Sequence, residues 1–139
     1  MFLLQSGPAR TEWFPKVAST AIANGAALTF DGSGAVTVAT ATSTRIAGIS
    51  AKVIASTDSD YASNTLIPLV AVGPDDIFLA AVGTGTLTTA MVGNQYDLAD
   101  SVGIDVTATS HKQVTVVGFV SASLALVKFN ANYVYVNAA

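Results

Sequence analysis

Apolar and polar residues alternate over short runs through most of the chain. Leu28 and Phe30 flank Thr29, and Val36 and Val38 flank Thr37. Between the two runs lies Asp31-Gly32-Ser33-Gly34, turn chemistry in which glycine takes positive φ at little cost. A period of two with such a turn predicts a β-hairpin. A second β run spans Arg45–Ala55, and its apolar parity changes around Gly48, which predicts a bulge or bend. Leu66–Val72 and Ile77–Val82 are short apolar runs joined by Gly73-Pro74-Asp75-Asp76, another turn. Pro68 inside the first of them predicts an edge strand or a strand start, because proline donates no ladder hydrogen bond.

The C-terminal half continues in the same style. Tyr96–Leu98, Ile104–Thr107, Gln113–Val120 and Leu124–Phe129 are predicted strands, and Tyr133–Val136 is a short last one. In Leu124–Phe129, Ala125, Val127 and Phe129 share one face, and Leu124, Leu126 and Lys128 share the other. No segment carries a helical stripe, and residues 57–65 form the longest polar loop. The expected fold is all-β: a small barrel or sandwich of short antiparallel strands. An internal echo runs through it. Gly25-x-x-Leu28-x-Phe30 followed by Val36-x-Val38 returns as Gly93-x-x-Tyr96-x-Leu98 followed by Ile104-x-Val106, displaced by 68 residues. A body of two similar halves would show this echo. A degenerate β pattern also produces it by coincidence.

The first twenty residues fit neither period. They hold Pro8 and Pro15, the cations Arg10 and Lys16, and the only tryptophan. Phe2, Leu3, Leu4, Trp13 and Phe14 are bulky and apolar, unlike a disordered tail. The chain therefore divides into an extended N-terminal arm, residues 1–20, and a β-barrel domain, residues 21–139. The arm either folds back and plugs its own barrel or docks on a neighbour. The apolar anchors favour the neighbour. On that view, deleting residues 1–19 leaves the barrel folded.

Composition sharpens the picture. Charged residues make up 11% of the 139 positions, against about 25% in ordinary domains. Such a bland surface suits a protein packed into an assembly. The net charge is −3, the basic residues are scattered, and none falls between Val53 and His111, so the chain offers no clustered cations for nucleic acid. The apolar runs are too short to span a bilayer as helices, which need about 20 residues. With no cysteine, disulfides and thiolate chemistry are excluded.

Catalytic signals are scarce. His111, the only histidine, sits in Thr109-Ser110-His111-Lys112, a predicted turn beside a lysine. No Gly-x-Ser-x-Gly elbow or phosphate-binding glycine loop occurs. Asp58 with Asp60 and Asp75 with Asp76 lie in turns, where aspartate serves the backbone. A calcium loop starting at Asp58 fails at Ala62 and Leu69. The expectation is a non-enzymatic protein without cofactor or metal.

Several stretches together carry a resemblance. They are Ala23-Asn24-Gly25-Ala26-Ala27-Leu28, Ile77-Phe78-Leu79-Ala80-Ala81-Val82-Gly83-Thr84-Gly85, Val92-Gly93-Asn94-Gln95-Tyr96-Asp97-Leu98, Gln113–Phe119 and Ala125–Asn130. Over roughly residues 20–130 this resembles the small β-barrel decoration (cement, auxiliary head) proteins of tailed bacteriophages. The resemblance implies a structural virion protein on the outer surface of the phage head, bound to the major capsid protein lattice. It implies homo-oligomers, with trimers favoured over dimers, and no nucleic-acid or membrane partner. It also implies an N-terminal arm that reaches a neighbour, which makes Phe2, Leu3, Leu4, Arg10, Trp13 and Phe14 the candidate contact residues. The alternatives are a head-fibre, tail or baseplate component and, less favoured, a small-ligand-binding barrel.

Overall fold

The computed structural model describes residues 1–134. Eleven strands make up almost all its regular structure: β1 (Phe2–Ser6), β2 (Thr11–Pro15), β3 (Ala27–Phe30), β4 (Val36–Val38), β5 (Ile46–Ser50), β6 (Leu66–Ala71), β7 (Ile77–Thr84), β8 (Gln95–Leu98), β9 (Gly103–Asp105), β10 (Val114–Ser121) and β11 (Leu124–Phe129). The fold is all-β, as the alternation predicts. Tyr133 lies in a 3₁₀ turn and Val134 in an isolated bridge to Ile46, and the second half of the predicted strand Tyr133–Val136 lies outside the described residues.

The strands form two sheets with one plan. The first has the order β2-β6-β5-β3-β4. The second contains β7-β11-β10-β8-β9, so each strand of the first sheet has its counterpart five strands later. A parallel pairing of β7 with β9 closes the second sheet into a five-stranded barrel. In the first sheet a single parallel bridge, Lys16 to Val36, draws the same two ends together. The hairpin registers also correspond. Thr29 faces Thr37 and Phe30 faces Val36; 68 residues on, Asp97 faces Asp105 and Leu98 faces Ile104.

Gly25 and Gly93 hold equivalent bends. Both take positive φ, +76° and +93°, two residues before the first strand of a hairpin. Each donates its N–H to the third strand of its own half, Gly25 to Ser50 and Gly93 to Val116. The sequence echo is thus a structural duplication.

The first barrel buries Ile22, Leu28, Val36, Ile54, Ile67 and Leu69. The second buries Phe78, Leu98, Val114, Val116, Val127 and Phe129, and its core runs on into Ala27, Ile46 and Ile49 of the first half. The second cluster therefore spans the seam, while the first stays within its own half. Gln113 adds a polar clasp. Its Nε2 donates to the carbonyls of Ala41 and Ser43 at 2.9 and 3.0 Å, and its Oε1 accepts from the Leu98 N–H at 2.8 Å.

Two expectations are corrected. β6 is not an edge strand: it lies between β2 and β5. Pro68 is tolerated because its carbonyl, and hence its missing N–H, faces Ala51, one residue beyond the end of β5. The first twenty residues do not lie outside the strand pattern. β1 runs antiparallel to β7, and β2 runs antiparallel to β6. These strands escaped notice because the link Gly7-Pro8-Ala9-Arg10 interrupts the alternation and sends one strand to each barrel. The bulge predicted near Gly48 is present: Leu28 pairs with Gly48 and Thr29 with Ile46, leaving Ala47 as the extra residue.

Phe2 ties β1 into the fold. It is 1% exposed, with ring centroids 5.2 Å from Phe129, which in turn lies 5.6 Å from Phe78. Its N–H donates to the Gly25 carbonyl of the first half. Phe2→Ala is expected to cost about 3–5 kcal/mol, and Leu3→Ala, on the solvent side, under about 0.5 kcal/mol. Urea unfolding of both variants checks this; equal losses would contradict the placement of β1.

Candidate functional surface

The six candidate contact residues separate by strand parity. In β1, Phe2 is buried and Leu4 half-buried against the core, while Leu3 is 48% exposed. In β2, Phe14 turns inward and meets Phe30 edge-on at 5.1 Å, while Trp13 is 59% exposed. Arg10 is exposed in the link. Phe2, Leu4 and Phe14 thus serve the fold. Leu3, Arg10 and Trp13 are presented to solvent.

Trp13 belongs to a larger feature. In the β2–β6 ladder Trp13 faces Pro68, Pro15 faces Leu66 and Thr11 faces Val70. Directly opposed residues project to the same side of a sheet. These six form an uncharged, mostly apolar ladder on the outer wall of the first barrel, with Leu66 57% exposed. The ladder leads toward a groove of about 330 Å³ at the seam between the halves, lined by Leu3, Ala9, Ala51 and Val70 among others. A second apolar surface, Val117, Phe119 and Val120, lies on the β10–β11 hairpin. Sequence reasoning did not single it out. Its signal was there: Val116-Val117-Gly118-Phe119-Val120 has too many consecutive apolar residues for a strand with one buried face.

The polar groups serve structure. Lys16 is fully buried, and its Nζ donates to the Tyr61 and Ser63 carbonyls, both at 2.7 Å. The side chain thereby pins the polar loop against the end of the first barrel. Asp76, also buried, accepts the Gly73 N–H and shapes the turn between the halves. Asp31 organises the first hairpin turn through the N–H groups of Ser33 and Ala35. Among the described residues no three metal-ligating side chains come together.

Asp97 is the most elaborate of these groups. It is buried and accepts N–H bonds from Ser110, His111 and Lys112. Lys112 adopts φ +55°, a left-handed conformation that this carboxylate holds in place. His111 Nδ1 lies 3.6 Å from Asp97 Oδ2, so the histidine is part of the same loop. Burial pushes the Asp97 carboxyl up, but the N–H groups of Lys112 and His111, the His111 ring and the Ser110 N–H together outweigh it, and the group sits below its ordinary value.

A depressed carboxyl contributes stability that is complete above the unfolded value, about pH 3.9, and is lost as pH falls through the lower folded value. Asp97→Asn is expected to cost about 2 kcal/mol at pH 7, since an amide accepts these bonds less strongly than a carboxylate. The difference from wild type should shrink under acid. Denaturation midpoints at pH 7 and near pH 3 check this; a pH-independent difference would contradict the charged role. No protein-family model matches the chain, and comparison with curated proteins finds no match.

Proposed function

We propose that this chain is a structural virion protein of a tailed bacteriophage, bound to the outer surface of the major capsid protein lattice, where it stabilises the head. The observation that carries the reading is the uncharged ladder of Trp13, Pro15, Leu66 and Pro68. An apolar face on a rigid wall, in a chain with few charges, is what a part buried in a larger assembly requires. The duplication supports the same reading. Two similar halves joined through a cluster that spans their seam present a contact surface each, suited to bridging neighbouring coat subunits. Weak contacts repeated around a closed lattice then add through multivalency.

In this role the chain acts by contact rather than by catalysis. Its partners are the major capsid protein and other copies of itself. The apolar clusters fill the barrel interiors, which weighs against a ligand-binding barrel, since such a barrel keeps its lumen open.

The test is made on gradient-purified particles from the source culture. The amount of this protein is compared with that of the major coat protein by quantitative mass spectrometry. Comparable copy numbers are expected. A trace amount would move the chain to a fibre, tail or baseplate, and absence from particles would overturn the virion reading. Trp13→Arg is expected to weaken attachment to heads at least tenfold while leaving the urea midpoint within about 0.5 kcal/mol of wild type.

A further inference from the structure

The duplication makes an unpaired strand edge visible. In the second barrel, β7 pairs with β11 on one side. On its other side its last residues meet β9 and its first residues meet β1. Strand parity fixes which groups β1 uses. The Val82 N–H donates toward β11, to Ser123, so even-numbered residues face β11. Leu79 and Ala81 face the opposite way, toward β1; Leu79 is opposite Leu3, and the Ala81 N–H donates to the Met1 carbonyl.

The corresponding strand of the first barrel is β2. The Lys16 N–H donates to Thr65 and the Arg10 carbonyl accepts from Ala71, so even-numbered residues face β6. The Val17 N–H faces the other way and reaches Val36 of β4, matching the closure of the second barrel. Thr11 and Trp13, the counterparts of Ile77 and Leu79, therefore aim their N–H and C=O groups away from β6. Both residues are exposed, and among the described residues these groups meet no strand.

We infer that the outer edge of β2 is a seat for an extended, uncharged, apolar strand of another protein chain, added antiparallel as β1 is added to β7. Main-chain bonds at Thr11 and Trp13 would set its register, and the Trp13 side chain would be covered by it. A second copy's β2 is a poor occupant. Antiparallel self-pairing through Thr11 and Trp13 centres on Glu12, and the two carboxylates would stand directly opposite each other.

The probe is a synthetic peptide with the sequence of residues 1–7 and blocked ends, titrated into the full chain. Trp13, the only tryptophan, reports directly. A saturable blue shift is expected, together with slowed exchange of the Thr11 and Trp13 amides. Thr11→Pro removes one outward N–H without touching the β6 ladder, and it should weaken binding at least roughly tenfold. Absence of any shift up to about 1 mM peptide would overturn the inference. So would binding that survives Thr11→Pro, which would mean exchange on β7. Thr11 and Trp13 amides already protected without peptide would overturn it as well, since the seat would then be filled within the chain or by a second copy.

Discussion

The rest of the structure depends on the docking of the first strand across the seam. β1 precedes the first barrel in sequence but pairs with β7 of the second. Phe2 brings its ring to Phe129, and its N–H bonds back to Gly25 of the first half. Without that strand the first half of β7 would be an open edge beside the Phe78–Phe129 ring contact. With it, the aromatic cluster of the second half is sealed and reaches across the seam to Ala27, Ile46 and Ile49 of the first. Neither half is large enough to be comfortably stable alone, because small domains bury too little of their surface.

The two halves keep one topology and differ in how they are finished. The first closes through a single bridge, and the fully buried Lys16 ties down its polar loop through two carbonyls. The second closes through a full parallel pairing, and Asp97 gathers the loop before β10. Gln113 stands where these solutions meet, bonded to the Ala41–Ser43 segment of the first half and to β8 of the second. The polar groups of this chain are spent mainly on loops and seams, and its outer walls are left with few charges. That division is consistent with a part whose working surface is apolar contact.

Much of the fold was legible in the sequence, because a period of two and a glycine-bearing turn have few other meanings. The hairpin at Leu28–Val38, the alternation in Leu124–Phe129 and the paired glycines at Gly25 and Gly93 fall where the pattern puts them. The N-terminal strands were not legible. Each is five residues long, and they pair with partners more than fifty residues away, so nothing local reveals them. The buried roles of Lys16 and Asp97 were hidden for the same reason: a charged residue looks solvated until the carbonyls or N–H groups around it, which come from distant segments, are placed. The contact surface was legible in part. Trp13 was singled out for its bulk, but Leu66 and Pro68 join it only through the β2–β6 register.

The fold rests on β1 docking within its own chain. The protein contains no cysteine, so Leu3→Cys with Leu79→Cys places a single reporter pair on facing strands. Cα atoms of such directly opposed residues lie about 5.5 Å apart, within disulfide reach. After mild oxidation, a non-reducing gel and intact-mass measurement should show one internally bridged monomer at every protein concentration. A ladder of covalently linked copies that grows with concentration would show instead that the strand belongs to a neighbour, and the cis arrangement would fall.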